Sequence, residues 1–223
     1  MNSRHFVIGD IHGHARALDA ILNAIAPTGA DCITFLGDYI DHGPDSKAVL
    51  DTLIRLGNIA RPLIRPIAGN HEALLLAALN DRDAEREWLR YGGEQTLASF
   101  GVAKISEIPN HYVEWLAALP LYIEDDNAVF VHAGANPNRP MNRQTENDLL
   151  WRHLPSPVYM ANGKALYCGH TPRTAPVISP LFVNLDTGIA NGGLLSCYEI
   201  TTGQLMQANR WGEISETTQA VAA

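Results

Sequence analysis

The chain has 223 residues, 46% hydrophobic and 18% charged, a globular profile with enough apolar material for a large core. A formal net charge of −8 argues against broad binding to nucleic acid or acidic membranes, and no apolar run approaches the roughly 18 residues of a membrane span. Cys32, Cys168 and Cys197 lie far apart without a CxxC pair, which argues against a disulfide scaffold and for a reducing cytoplasm.

Residues 1–5 lead into a strand-like run without a signal-peptide core, so a cytoplasmic protein is expected. Residues 6–8 predict a first strand, stopped by Gly9-Asp10. Leu18, Ile21, Leu22 and Ile25 share a helical face, and residues 33–36 predict a second strand stopped by Gly37-Asp38. Val49, Leu50, Leu53 and Ile54 mark a second helix, with Asp45 or Ser46 as its cap and Gly57-Asn58 as its stop. Residues 63–68 read as a strand made irregular by Pro66 and ended by Gly69-Asn70. Helices follow at 72–79 and 83–90, then a Gly92-Gly93 break and a short helix around Trp115, Leu116 and Leu119. Residues 129–131 end at His132-Ala133-Gly134, residues 136–147 read as a long polar loop, and residues 165–168 end at Gly169-His170. Strands at 181–185, 194–200 and 204–209 complete a single domain over 1–223, with 212–223 expected to be a frayed tail.

Ligands of α/β sheets gather beyond the carboxyl ends of strands. Here five strand ends each deliver a metal-type side chain: Asp10 with His12, Asp38, Asn70, His132 and His170. Taken singly, Gly-Asp is most often a turn and Asn70 a helix cap. Five such turns in order are hard to produce by packing alone, and the oxygen and imidazole donors suit Mn²⁺, with Fe or Zn²⁺ as alternatives, rather than a thiophilic metal.

Gly-Asp-Ile-His-Gly, Gly-Asp-Tyr-Ile-Asp-His-Gly-Pro-Asp-Ser, Gly-Asn-His-Glu, His-Ala-Gly and Gly-His-Thr-Pro, in that order, resemble the motifs of the metallophosphoesterase superfamily. Within it the chain is most similar to the phosphoprotein phosphatases of bacterial and lambda-phage type. The resemblance runs from about residue 6 to residue 200 and includes Tyr91-Gly92-Gly93-Glu94-Gln95-Thr96 and Asp186-Thr187-Gly188. It implies an α/β fold of two stacked mixed sheets flanked by helices. It also implies a dinuclear centre in which Asp10 and His12 hold the first metal, Asp38 bridges, and Asn70, His132 and His170 complete the second. The implied chemistry is hydrolysis of a phosphoester by a hydroxide shared between the metals.

The leaving oxygen needs a proton. His71 follows Asn70 directly, and Asp41 lies three residues after Asp38, so Asp41 is read as supporting a protonated His71 that acts as the acid. The plainer alternatives are a helix-start hydrogen bond for His71 and a loop carboxylate for Asp41. The chain departs from its relatives at two positions where the family carries arginine: His42, and His153 in Trp151-Arg152-His153. His42, Arg152 and His153 are therefore the phosphate-binding candidates. Imidazole offers one donor edge where guanidinium grips two oxygens. Trp88 and Tyr91 are read as helix packing ahead of covering the site, and His14 as either a helix-start residue or a substrate contact.

The leading expectation is a phosphatase of phosphoserine or phosphothreonine proteins, extending to phosphotyrosine and small phosphoesters. The alternatives are a dinucleoside tetraphosphate hydrolase or phosphodiesterase, and a catalytically weak protein that only binds phosphorylated ligands.

Overall fold

Short apolar strands alternate with amphipathic helices through the first half of the chain, and strands dominate the second. The computed structural model describes residues 3–59 and 61–218. Its first half runs β1 (His5–Ile8), α1 (Ala15–Ile25), β2 (Cys32–Phe35), α2 (Ser46–Gly57), β3 (Leu63–Pro66), α3 (Asn70–Ala78), α4 (Arg82–Trp88), α5 (Glu94–Phe100) and α6 (Asn110–Ala117). There follow β4 (Tyr122–Glu124), β5 (Ala128–Val131), α7 (Glu146–Trp151), β6 (Ala165–Cys168), β7 (Val177–Ser179), β8 (Phe182–Asn184), β9 (Asp186–Thr187), β10 (Leu194–Glu199), β11 (Gln204–Ala208) and β12 (Ile214–Thr218).

Among the described residues, seven strands form one sheet in the order β12-β11-β10-β1-β2-β3, with β9 also paired to β10. Five form a second, in the order β4-β5-β6-β8-β7. Both are mixed: β1, β2 and β3 run parallel while β10 opposes β1, and β5, β6 and β8 run parallel between antiparallel edges.

Side chains alternate across a strand, and that alternation sorts the core into layers. Phe6 and Ile8 of β1 face the helices, where Leu18, Ile21, Leu50 and Leu53 meet them. Val7 points the other way, onto Phe130, Tyr167 and Val183 of the second sheet. Val129, Val131, Leu166 and Cys168 cover that sheet's outer face with Leu149 of α7. The expected stack of two mixed sheets flanked by helices is the architecture found.

Two sequence expectations are corrected. The polar stretch 136–147 is not a plain loop: it holds a helical turn at Met141–Arg143 and the start of α7, where the Asp148 amide donates to Thr145 Oγ1 at 3.1 Å. The tail is not frayed over 214–218, because these residues satisfy the open edge of β11 along a five-residue antiparallel register. Residues 219–223 of the expected tail lie outside the described residues. Among the described residues, no helix is long and apolar enough to cross a membrane.

Candidate metal centre

Parallel pairing of β1, β2 and β3 brings their carboxyl ends side by side, and β5 and β6 do the same from the facing sheet. The turns after these strands are strained. Six described residues other than glycine have left-handed backbone, and five of them belong here: His12, Asp38, Asp41, His42 and His170. Each such conformation costs on the order of 1–3 kcal/mol and persists only where surrounding contacts over-determine it. Glu72 supplies one of those contacts. Its fully buried carboxylate accepts the backbone N–H groups of Asp38, Tyr39 and Gly69, each at 2.8 Å. Residue 69 must be glycine, since a Cβ there would collide with the Asp38 carboxylate and amide.

All six expected ligands converge. Asp38 Oδ2 lies 3.5 Å from His12 Nε2 and 3.4 Å from His132 Nε2. Asn70 Oδ1 lies 2.8 Å from His132 Nε2 and 2.9 Å from His170 Nδ1. The donor atoms fall into two groups that share Asp38, one with Asp10 and His12 and one with His132 and His170, each within 4.8 Å. Asp10 Oδ2 also accepts the His170 amide at 3.1 Å.

Polar chemistry inside this cage fits cations. His132 Nδ1–H donates to the Leu36 carbonyl at 2.8 Å and His12 Nδ1–H to the Ile40 carbonyl at 3.1 Å. A neutral ring that donates from Nδ1 turns an Nε2 lone pair inward. His132 therefore aims a lone pair at the Asn70 oxygen, two acceptors facing each other. Burial, reinforced by neighbouring imidazoles, holds His12 and His132 well below the usual histidine range, so these rings stay neutral. Asp10 Oδ1 and His170 Nε2 are buried with no hydrogen-bond partner. Burial and the charges of Asp186 and Asp38 push Asp10 well above the ordinary carboxylate range. Burial likewise raises Asp38 to about 8 and Asp186 to about 6. Crowded carboxylates beside neutral imidazoles are the donor set that a divalent cation satisfies.

Beside the cage, His71 Nδ1–H donates to Asp41 Oδ2 at 2.8 Å. Asp41 is fully buried and its oxygens also accept Trp88 Nε1–H at 3.0 and 3.1 Å and the Thr96 hydroxyl at 2.6 Å. Burial works against a charged His71, but Asp38, the Asp41 hydrogen bond and the Asp41 charge outweigh it and raise His71 to about 9. Two parts of the sequence thus acquire a purpose that local pattern did not disclose. Trp88 packs in the core as expected and also holds Asp41. The Tyr91–Thr96 motif brings Thr96 to the same carboxylate, and Gly93 passes so close to the Trp88 ring that a Cβ would strike it.

A cavity of about 310 Å³ opens over the cage, with Tyr91, Trp151 and Asp186 in its walls. His42 and His153, two of the phosphate-binding candidates, line it. Arg152 does not: its guanidinium turns away to Asp148 Oδ1 at 2.6 Å, on the carboxylate that also holds Arg139. The reason is helical spacing, since residues 148 and 152 are neighbours on one face. Asp186 and Glu72 were visible in the sequence only as members of family motifs, with no contact assigned to either.

A sequence model described as calcineurin-like phosphoesterase matches residues 4–183. Serine/threonine-protein phosphatase 2 of Escherichia coli is 30% identical over 226 aligned positions, covering 90% of this chain and 96% of its own. The symmetrical bis(5'-nucleosyl)-tetraphosphatase of Neisseria meningitidis is 33% identical over 136 positions, covering 60% of this chain. That match spans less than half, 44%, of the tetraphosphatase. A solved structure named as a proposed diadenosine tetraphosphatase superposes with a TM-score of 0.70 at 25% identity, covering 92% of each chain.

Proposed function

The chain belongs to the calcineurin-like phosphoesterase family, and from that premise we propose that it hydrolyses phosphomonoesters, phosphoserine and phosphothreonine in proteins among them. In this reading Asp10, His12, Asp38, Asn70, His132 and His170 hold two divalent cations, Mn²⁺ foremost. The observation that carries it is the convergence of these six groups on shared Asp38 beside an imidazole already paired to a buried carboxylate. When bound, the cations supply charge neutralisation at the phosphoryl oxygens and acidify water.

The chain's own residues supply the rest. Asp41 accepts from His71 Nδ1 and so keeps the second ring proton on Nε2, which faces the cage 4.0 Å from Asp38 Oδ2. From there it can pass to the leaving oxygen. An alkoxide leaves only with a proton, so the acid pair supports serine and threonine esters in particular. In this reading His42 and His153, which line the cavity, take the phosphate side. Burial and the charge of His71 lower the His42 pKa despite Asp41, so its ring is a weaker anion partner than the guanidinium it replaces.

A second reading, hydrolysis of a dinucleoside polyphosphate, is supported by a basic, aromatic pocket bordering His42. The primary test is turnover of a phosphoserine peptide, whose alkoxide needs a proton to leave, with added Mn²⁺, with and without chelator, in the parent and in His71→Ala. Chelator should abolish turnover, and His71→Ala should lower it with metal content unchanged. A fully active His71→Ala protein removes the acid assignment. Product release from a phosphoserine peptide and from diadenosine tetraphosphate then separates the two readings.

A further inference from the structure

A second cavity, of about 520 Å³, adjoins the metal cavity and shares His42 and Ala190 with it as a common wall. It is lined by Arg16 at the start of α1 and by Arg210 and Trp211 in the turn between β11 and β12. That turn is held in place. Asn209 Oδ1 accepts the backbone amides of Trp211 and Glu213, and the Gly212 backbone runs so close to the Arg16 carbonyl that a Cβ would sit 3.1 Å from it. The Arg210 guanidinium stacks 4.3 Å from the Trp211 ring centre, and Trp211 is 61% exposed. Among the described residues neither Arg16 nor Arg210 forms an ion pair. One carboxylate, Asp45, also lines the cavity, as does the buried His14.

The position of this cavity relative to the acid gives it a role. The His42 ring lies 5.1 Å from the ring of His71, so the shared wall is on the side where the leaving oxygen receives its proton. We propose that the second cavity is the leaving-group subsite, and that it takes a leaving group bearing a further phosphate and an aromatic ring, a nucleoside phosphate. Two guanidiniums outside any ion pair among the described residues, one of them stacked on an exposed indole, offer bidentate grip on phosphate oxygens and an aromatic surface for base stacking. A volume of about 520 Å³ lies within the range of small-ligand sites, roughly 300–1,000 Å³. In the step so placed, a water oxygen bonds phosphorus and gives its proton to solvent. The bond from phosphorus to the bridging oxygen breaks, and its electron pair leaves on that oxygen, which is protonated from His71 where its basicity requires it. The released nucleoside phosphate occupies the second cavity.

This inference rests on the phosphoester-hydrolase reading but not on the choice of phosphoprotein as substrate. Its test is selectivity, kcat/KM for diadenosine tetraphosphate divided by that for p-nitrophenyl phosphate. Parent, the double variant Arg16→Ala with Arg210→Ala, Trp211→Ala and Trp211→Phe are compared. Calorimetric binding of ADP to each protein is measured in parallel. We expect selectivity and ADP affinity to fall at least tenfold in the double variant and in Trp211→Ala, and to recover in Trp211→Phe. Equal losses on both substrates, or unchanged ADP affinity in the double variant, overturn the subsite. So does a dependence on these residues seen with an acidic phosphopeptide and not with the dinucleotide. If the parent hydrolyses neither substrate, the hydrolase reading fails, and ADP binding alone still decides the subsite.

Discussion

Substituting Asp41 by asparagine separates proton delivery from metal binding. The Asp41 carboxylate receives three donor groups, from His71 at 2.8 Å, Thr96 at 2.6 Å and Trp88 at 3.0 and 3.1 Å. Asparagine keeps one oxygen and turns an NH₂ toward a donor, so at least one buried N–H or O–H is left unsatisfied. The stability cost is about 1–3 kcal/mol. If the amide NH₂ faces His71, Nδ1 must accept, the ring holds a single proton, and the imidazolium loses its anionic support. A positioned general acid contributes roughly 10²–10⁴ in rate, or about 2.7–5.4 kcal/mol at 1.36 kcal/mol per tenfold. The assay is kcat of Asp41→Asn on a phosphoserine peptide and on p-nitrophenyl phosphate, whose phenolate leaves without a proton, with bound metal counted by elemental analysis. We expect a loss of about a hundredfold or more on the peptide, a much smaller loss on the nitrophenyl ester, and unchanged metal. Equal losses on both esters refute the role of Asp41 through His71.

Four further outcomes follow from the geometry. Asn70→Ala removes the oxygen facing both His132 and His170 and should lower the bound metal count in elemental analysis while the fold persists by circular dichroism. Glu72→Gln leaves one of three backbone donors on the Asp38 and Gly69 turns facing an NH₂, and should lower stability by about 1–3 kcal/mol in urea unfolding. His42→Arg with His153→Arg should lower KM for a phosphomonoester, and an unchanged KM means that neither position faces the phosphate. The Arg4 hydrogen bond, with Thr28 donors, holds Asp31 well below the ordinary carboxylate range against burial. A folded pKa depressed in this way adds stability that is complete above the unfolded carboxylate pKa of about 4 and is lost as pH falls through the folded value. Asp31→Asn should therefore flatten the acid limb of melting temperature against pH.

Motif order made the candidate ligand set legible without coordinates. Asp10, His12, Asp38, Asn70, His132 and His170 each follow an apolar run closed by a tight turn, and residue type together with turn position is local information. His71 beside Asn70 and Asp41 near Asp38 were readable for the same reason. What these residues touch was not, because contacts spanning tens of residues depend on strand register and helix packing. Only the fold brings Trp88 and Thr96 to Asp41 across 47 and 55 residues, and it turns Arg152 onto Asp148 and away from the cage.

The amino-acid order by itself thus determined the metal-type side chains, the strands that present them and the family the chain resembles. Tertiary structure alone decided which way Arg152 points, that residues 214–218 pair as a strand, and that the turn before them sets Arg210 and Trp211 beside the His42 wall. The physical reason is that a turn's residues fix its local geometry, whereas the free edge of β11 and the surface of α1 fix where that turn comes to rest.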